Sequence, residues 1–173
     1  FKDMLLLIIL IIILVYMVMA SQFESFMSPF VIMFSVPFAL VGVILGLAVT
    51  GTALGMMAMV GIIILLGIVV KNGIVLIDYT ILCRERGMNV LDASVTAARS
   101  RLRPILMTTL TTVLGMLPMA IGTGEGSEMW HSLGMTVCWG LTISTLVTLI
   151  LIPTVYCVFA TRQERRQAAK KKK

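Results

Sequence analysis

Long runs of apolar residues dominate this chain, and short polar segments separate them. Each run is close to or above the roughly 20 residues that an α-helix needs to cross a ~30 Å hydrocarbon core. Strands of a membrane barrel would be about ten residues long and would alternate polar and apolar positions, which these runs do not do. The pattern predicts an all-α membrane protein, a bundle of five transmembrane helices at about residues 4–22, 29–50, 56–82, 104–121 and 132–160.

One short helix is predicted outside these spans. Residues 89–100 carry apolar side chains at helical spacing, with Asn89 as a candidate N-cap. They predict a short amphipathic helix on the cytoplasmic surface, after which the chain turns back into the membrane at Pro104, because proline suits a first helical turn. Pro37 predicts a kink within the second span.

The composition excludes a soluble domain and a disordered chain. Of the 173 residues, 59% are hydrophobic and only 13% are charged, whereas soluble domains have about 45–50% apolar and about 25% charged residues. Disorder requires the opposite balance of low hydrophobicity and high charge. The net charge of +6 is explained by membrane topology, so we expect the lipid bilayer, and no nucleic acid, as a partner.

The distribution of Lys and Arg predicts the orientation. Five arginines lie within residues 84–103, and seven basic residues lie within residues 162–173, whereas residues 122–131 contain two glutamates and no Lys or Arg. By the positive-inside rule, the first two segments are cytoplasmic. We therefore expect a transmembrane bundle over residues 1–161, a basic cytoplasmic tail over residues 162–173, and an N-terminus outside the cytoplasm that a further domain precedes.

Lys71 is the one charge predicted to lie deep within a span. It is about 11 residues from the cytoplasmic end of its helix, hence about 16 Å deep and near the midplane. A lysine at this depth costs about 2.5–3.5 kcal/mol on insertion scales, so we expect it to face the bundle interior and to pair with an acid. Asp78 lies two turns away, ~10 Å along the axis and too far for a direct pair. The partner of Lys71 is therefore expected outside this chain.

The fourth span carries a second candidate pair. Arg101 and Thr108 are seven residues apart and share a helix face. Taken alone, Arg101 is typical of a cytoplasmic anchor, and Thr108 of a hydroxyl that bonds its own helix. If the span begins near Arg103, Thr108 lies only about 8 Å deep. Small residues on two other spans predict close helix packing, at Gly42, Gly46, Gly61 and Gly67.

No pattern for catalysis, a cofactor or a metal is present. The chain has no H-E-x-x-H motif and no nucleophile elbow. Its glycine-rich segment at residues 122–126 lacks the G-K-[ST] of a phosphate loop. We therefore predict that the chain is not an enzyme and that it holds no cofactor and no metal.

Four segments, in order, resemble one protein family. They are "VYMVMASQFESFMSPFVIMFSVPFALVG" (15–42), "GIVVKNGIVLIDY" (67–79), "SRLRPILMTTLTTVLGMLP" (100–118) and "GTGEGSEMW" (122–130). They are similar to the resistance-nodulation-division (RND) efflux permeases of bacteria, and most of all to the hydrophobic and amphiphilic drug-efflux branch. The resemblance covers residues 14–156.

This resemblance implies the C-terminal membrane repeat of a proton-driven antiporter in the bacterial inner membrane. Such permeases are homotrimers that work with a periplasmic adaptor and an outer-membrane channel, and the rest of the same permease would be the first partner of this chain. In the family, two aspartates pair with a lysine, and they lie on the fourth span of the complete permease, outside this chain. Lys71 matches that lysine. Arg101 and Thr108 match two further members of the same proton relay. Asn72 and Asp78 are neighbours that could support them, although Asp78 is not placed in the relay.

Two alternatives stay open. Related members of the same superfamily export proteins or lipids with similar spans, and a non-transporting membrane anchor would need no relay. The anchor predicts that Lys71→Met costs nothing beyond stability. The substrate is not indicated, because the family binds its substrates in periplasmic domains.

Overall fold

The computed structural model describes residues Lys2–Lys171, and these residues fold almost entirely into helices. The helices are α1 (Lys2–Phe23), α2 (Met27–Met33), α3 (Val36–Thr50), α4 (Met56–Glu85), α5 (Val90–Ile121) and α6 (Ser127–Lys171). Since α2 and α3 together form one apolar segment, the described residues contain five segments long and apolar enough to cross a membrane. The prediction of an all-α fold with five spans is confirmed.

The longest helix, α6, forms the centre of the bundle. It packs along α5, α4 and α3, and its fully buried side chains Leu141 and Ile152 share a core cluster with Leu65 and Leu76 of α4. In contrast, α1 buries only Met19 and touches α2 and α4 alone. The core is therefore built by α2 to α6, with α1 attached at the edge.

The second span is interrupted at Phe34 and Ser35. Pro37 has no N–H to donate to the carbonyl of Met33, and its ring would clash with that carbonyl in a regular helix. The chain tightens instead, with the Ser35 backbone N–H and its hydroxyl both donating to the Ile32 carbonyl at 3.0 and 2.6 Å. The predicted kink is thus a break between two helices.

The separate surface helix predicted at residues 89–100 is wrong. These residues form the first part of α5, which continues through Pro104 to Ile121. An internal proline removes the hydrogen bond to the carbonyl four residues earlier and crowds that carbonyl, which a helix can accommodate by bending. The intervening arginines and leucine are good helix formers. Val90 and Ala97 belong to the core, so this stretch packs against the bundle. Asn89 does occupy the N-cap position, without a side-chain capping bond.

A short turn joins α4 to α5 as an antiparallel hairpin. Its sharp reversal falls at Gly87, whose φ of 89° is favourable only for glycine. The Gly87 N–H bonds to the Arg84 carbonyl at 3.0 Å. This turn fixes which residues of α4 lie beside which residues of α5.

The residues predicted as a basic tail continue α6 as far as Lys171, and their side chains are exposed. Glu164 of this extension accepts a hydrogen bond at 2.6 Å from Arg84, near the end of α4. The extension is therefore tied to the bundle at one point.

Candidate functional site

Lys71 lies on the outer surface of the bundle, in a groove between α1 and α4. The groove has a volume of about 440 Å³, and Lys71 is exposed. The other residues that line it are apolar, among them Leu14, Val18, Gly67 and Ile74. The expectation that Lys71 faces the interior of these helices is wrong, because apolar side chains of α4 and α6 fill that interior.

The Lys71 ammonium has no acidic partner within Lys2–Lys171. The ion pair found in these residues joins Arg84 to Glu164, and no hydrogen bond between described residues involves Lys71. Asp78 lies two turns further along α4 and is exposed, whereas Asn72 is buried with 6% of its surface accessible. The acidic partner that the sequence predicts for Lys71 is thus not among the described residues.

Arg101 is held against α4 by an aromatic ring. Its guanidinium carbon lies 4.7 Å from the centroid of the Tyr79 ring, within the distance of a cation–π contact. The side chains of Arg101 and Tyr79 are both half-buried. The Nε of Arg101 is fully buried and has no hydrogen-bond acceptor among the described residues.

This contact brings Lys71 and Thr108 to the same height. Lys71 precedes Tyr79 by eight residues and Thr108 follows Arg101 by seven, and the two helices are antiparallel. At 1.5 Å per residue, Lys71 lies about 12 Å and Thr108 about 10.5 Å from the contact along their helices. Both lie on the side away from the α4–α5 turn. The depths of about 16 and about 8 Å expected from the sequence are wrong relative to each other, because α5 begins at Val90 and not near Arg103.

The threonine hydroxyls of α5 bond in two different ways. Thr108 is exposed and donates to the Pro104 carbonyl of its own helix at 2.7 Å. Thr111 and Thr112 bond their own helix in the same way. Thr109 instead pairs with the Thr145 hydroxyl of α6 at 3.1 Å in a buried position. Thr109 therefore links two helices, while the Thr108 oxygen keeps acceptor capacity on the open face.

Three of the four candidate packing glycines lie directly against α6. A Cβ added at Gly42 would lie 2.9 Å from the Ile143 Cβ, one at Gly61 would lie 3.0 Å from the Thr136 Cβ, and one at Gly46 would overlap the Trp139 Cβ. Gly67 differs, because no described atom would lie within 4 Å of its Cβ. It lines the Lys71 groove, so its expected role in packing these helices is wrong.

Tyr79 is the residue of this site that sequence reasoning missed. It lies within the "GIVVKNGIVLIDY" segment, one residue after Asp78, and an aromatic residue near the end of a span is typical of an interface anchor. Its contact with Arg101 depends on the register of the α4–α5 hairpin. The sequence carries no direct signal of that register.

The open faces of α4 and α5 offer positive charge and hydrogen-bond donors. Lys71 supplies an ammonium, and Thr108 supplies an acceptor oxygen at the same height. Arg101 supplies a guanidinium held by Tyr79, about two helical turns further toward the α4–α5 turn. Such groups attract and ionise a carboxyl group. No three His, Cys, Asp or Glu residues in the described chain lie close enough to hold a metal ion.

These features define a multi-pass helical membrane protein with a charged face inside its membrane-spanning region. The profile of the AcrB/AcrD/AcrF family matches residues 2–160. The chain belongs to this family of RND permeases, which are membrane transporters, and the family predicted from the sequence is confirmed.

One similar protein is the swarming motility protein SwrC of Bacillus subtilis (strain 168). It is 39% identical over 152 residues. These residues make up 87% of this chain and 14% of SwrC, so the chain spans a small part of that relative.

Proposed function

We propose that this chain is the C-terminal membrane part of a proton-driven RND exporter and supplies the lysine side of its proton relay. The observation that carries the proposal is the position of Lys71, a charge exposed in an apolar groove with no acid beside it in the described residues. A lysine so placed costs several kcal/mol in a bilayer unless a partner compensates it. A carboxylate from the preceding part of the same permease is the partner of opposite charge.

The relay works through the charge of that carboxylate. While it is ionised, it is held by Lys71. Once protonated, it can donate a hydrogen bond to the Thr108 oxygen at the same height, because the Thr108 hydroxyl proton is given to the Pro104 carbonyl. When it takes up a proton, its attraction to Lys71 falls, and the two helix groups can shift relative to each other. Arg101 holds a second positive charge nearer the α4–α5 turn. Proton uptake is thereby converted into movement between the two halves of the transporter.

We further propose an orientation and an assembly. The basic segments at residues 84–103 and 162–173 favour a cytoplasmic C-terminus and an N-terminus outside the cytoplasm, in the bacterial inner membrane. The permease is expected to act as a homotrimer with a periplasmic adaptor and an outer-membrane channel, exporting drugs or other amphiphilic compounds. These features come from the resemblance and stay predictions.

The test is Lys71→Met in the complete permease that contains this chain. The matched control is Lys170→Met, the same change on the exposed extension of α6. Proton-coupled efflux and membrane abundance are measured for both variants. We expect Lys71→Met to reach the membrane at normal abundance and to lose efflux, and Lys170→Met to keep both.

Retained efflux in Lys71→Met would refute the relay and favour the membrane anchor. Loss of efflux together with loss of protein from the membrane would instead assign Lys71 a structural role. In that case Lys71→Arg, which keeps the charge, should restore abundance without restoring efflux if the lysine has a further role in transport.

A further inference from the structure

The contact between Arg101 and Tyr79 places the guanidinium over the face of the tyrosine ring. The guanidinium carbon lies 4.7 Å from the ring centroid, and the aromatic ring attracts the cation through its negative π-face. A carboxylate would hold arginine differently, because it bonds the in-plane N–H groups and neutralises the charge. Contact with a tyrosine ring does not neutralise the guanidinium, so its positive charge stays available.

This contact also contains no carboxyl group, so proton uptake by a carboxyl group elsewhere breaks no bond within it. We therefore expect the link between α4 and α5 at Tyr79 to be kept through a transport cycle. The Nε of Arg101 is already buried without an acceptor in the described chain, which leaves the terminal nitrogens as the groups that can reach outward.

We infer that Tyr79 is a positioning residue for Arg101. Tyr79 fixes the Arg101 guanidinium beside α4, about 12 Å along the helix axis from Lys71. It keeps the positive charge directed at the carboxyl groups of the preceding part of the permease. This inference rests on the proposed proton relay. It adds a residue whose aromatic face, and not its hydroxyl, sets the position of a relay charge.

The test compares Tyr79→Leu with Tyr79→Phe in the complete permease. Leucine removes the π-face, and phenylalanine keeps it without the hydroxyl. Tyr16→Leu is the matched control, because Tyr16 is a half-buried tyrosine on α1 that lines an apolar groove. Proton-coupled transport is measured across pH, together with the membrane abundance of each variant.

We expect Tyr79→Leu to lower transport by roughly threefold to thirtyfold, the change in an equilibrium that a cation–π contact is worth. The pH of half-maximal transport should rise, because a loosened positive charge no longer favours the ionised form of the nearby carboxyl group. Tyr79→Phe and Tyr16→Leu should keep the wild-type rate and pH midpoint. A purely structural role of Tyr79 would change abundance but not this midpoint.

The inference is overturned if Tyr79→Leu keeps both the wild-type rate and the pH midpoint. It is also overturned if Tyr79→Phe is as defective as Tyr79→Leu, which would assign the role to the hydroxyl. Should Tyr79→Leu fail to accumulate, Tyr79→Met replaces it, since methionine fills irregular gaps without an aromatic face. Lys71→Met is assayed in parallel. If Lys71→Met retains efflux, the proposed relay itself is wrong. If Lys71→Met loses efflux while Tyr79→Leu transports normally, only the role of Tyr79 is refuted.

Discussion

Gly46 of α3 lies directly against Trp139 of α6, and Gly46→Ala tests how tightly this bundle is packed. The Cβ of the new alanine would overlap the Trp139 Cβ and lie 2.5 Å from the Trp139 Cγ. Carbon atoms in contact prefer about 3.5–4.0 Å, so the shortfall is about 1 Å. The Trp139 Cβ is fixed to the α6 backbone and cannot move away by rotation of the side chain. The two helices must therefore separate.

The expected loss follows from two opposing effects. Forcing an extra carbon into a packed core typically costs about 1–3 kcal/mol. Replacing glycine by alanine inside a helix recovers about 0.5–1 kcal/mol of conformational free energy. The net destabilisation of Gly46→Ala should be at most about 2.5 kcal/mol, with a central value of about 1 kcal/mol.

Thermal unfolding of the detergent-solubilised permease measures this loss against two further variants. Gly115→Ala adds a methyl group where no described atom lies within 4 Å, so it should melt at or above the wild-type temperature. Gly140→Ala meets the ends of the Leu65 and Val43 side chains, which can move, so it should fall between the other two. A Gly46→Ala protein as stable as Gly115→Ala would show that α3 and α6 are not in this close contact.

Two other changes test the groove and the core. Gly67→Leu should leave thermal stability unchanged or slightly raised. It should lower transport by roughly tenfold or more, because the leucine would clash, at a cost of about 1–3 kcal/mol, with the partner that covers Lys71. Normal transport would mean that nothing docks in the groove. Thr109→Val should destabilise the protein by about 0.6–1.7 kcal/mol, because it leaves the Thr145 hydroxyl buried without its partner. Adding Thr145→Val should recover most of this loss in the same melting assay, and additive losses would contradict the pairing.

The number and place of the spans could be predicted because, in a chain this poor in charge, apolar runs of span length are stable only as helices within a bilayer. Pro37 also indicated the interruption of the second span through its missing N–H. Pro104 was misleading, because the same residue type both begins helices and is tolerated within them. Whether a helix continues through a proline depends on the packing on either side, here the burial of Val90 and Ala97, which no local pattern contains.

The candidate site was predicted in part. Lys71 stood out because a charge in the middle of an apolar run is costly wherever the helix points. The side to which it points could not be predicted, since α4 is apolar on nearly every face and gives no amphipathic signal. The heights of Thr108 and Tyr79 depend on how α5 slides along α4, and a turn at Gly87 sets that register only in three dimensions.

The central place of α6 has a consequence for biosynthesis. The surfaces of α3 and α4 that receive it leave the ribosome well before α6 itself, with about 90 residues between Gly46 and its contact Trp139. At 5–20 residues per second, that interval is roughly 5 to 20 seconds. During this interval α3 and α4 are in the bilayer without their contacts to α6. Closure of this bundle is a late event in its insertion, and a ribosome that stalls before α6 leaves behind helices without a common core.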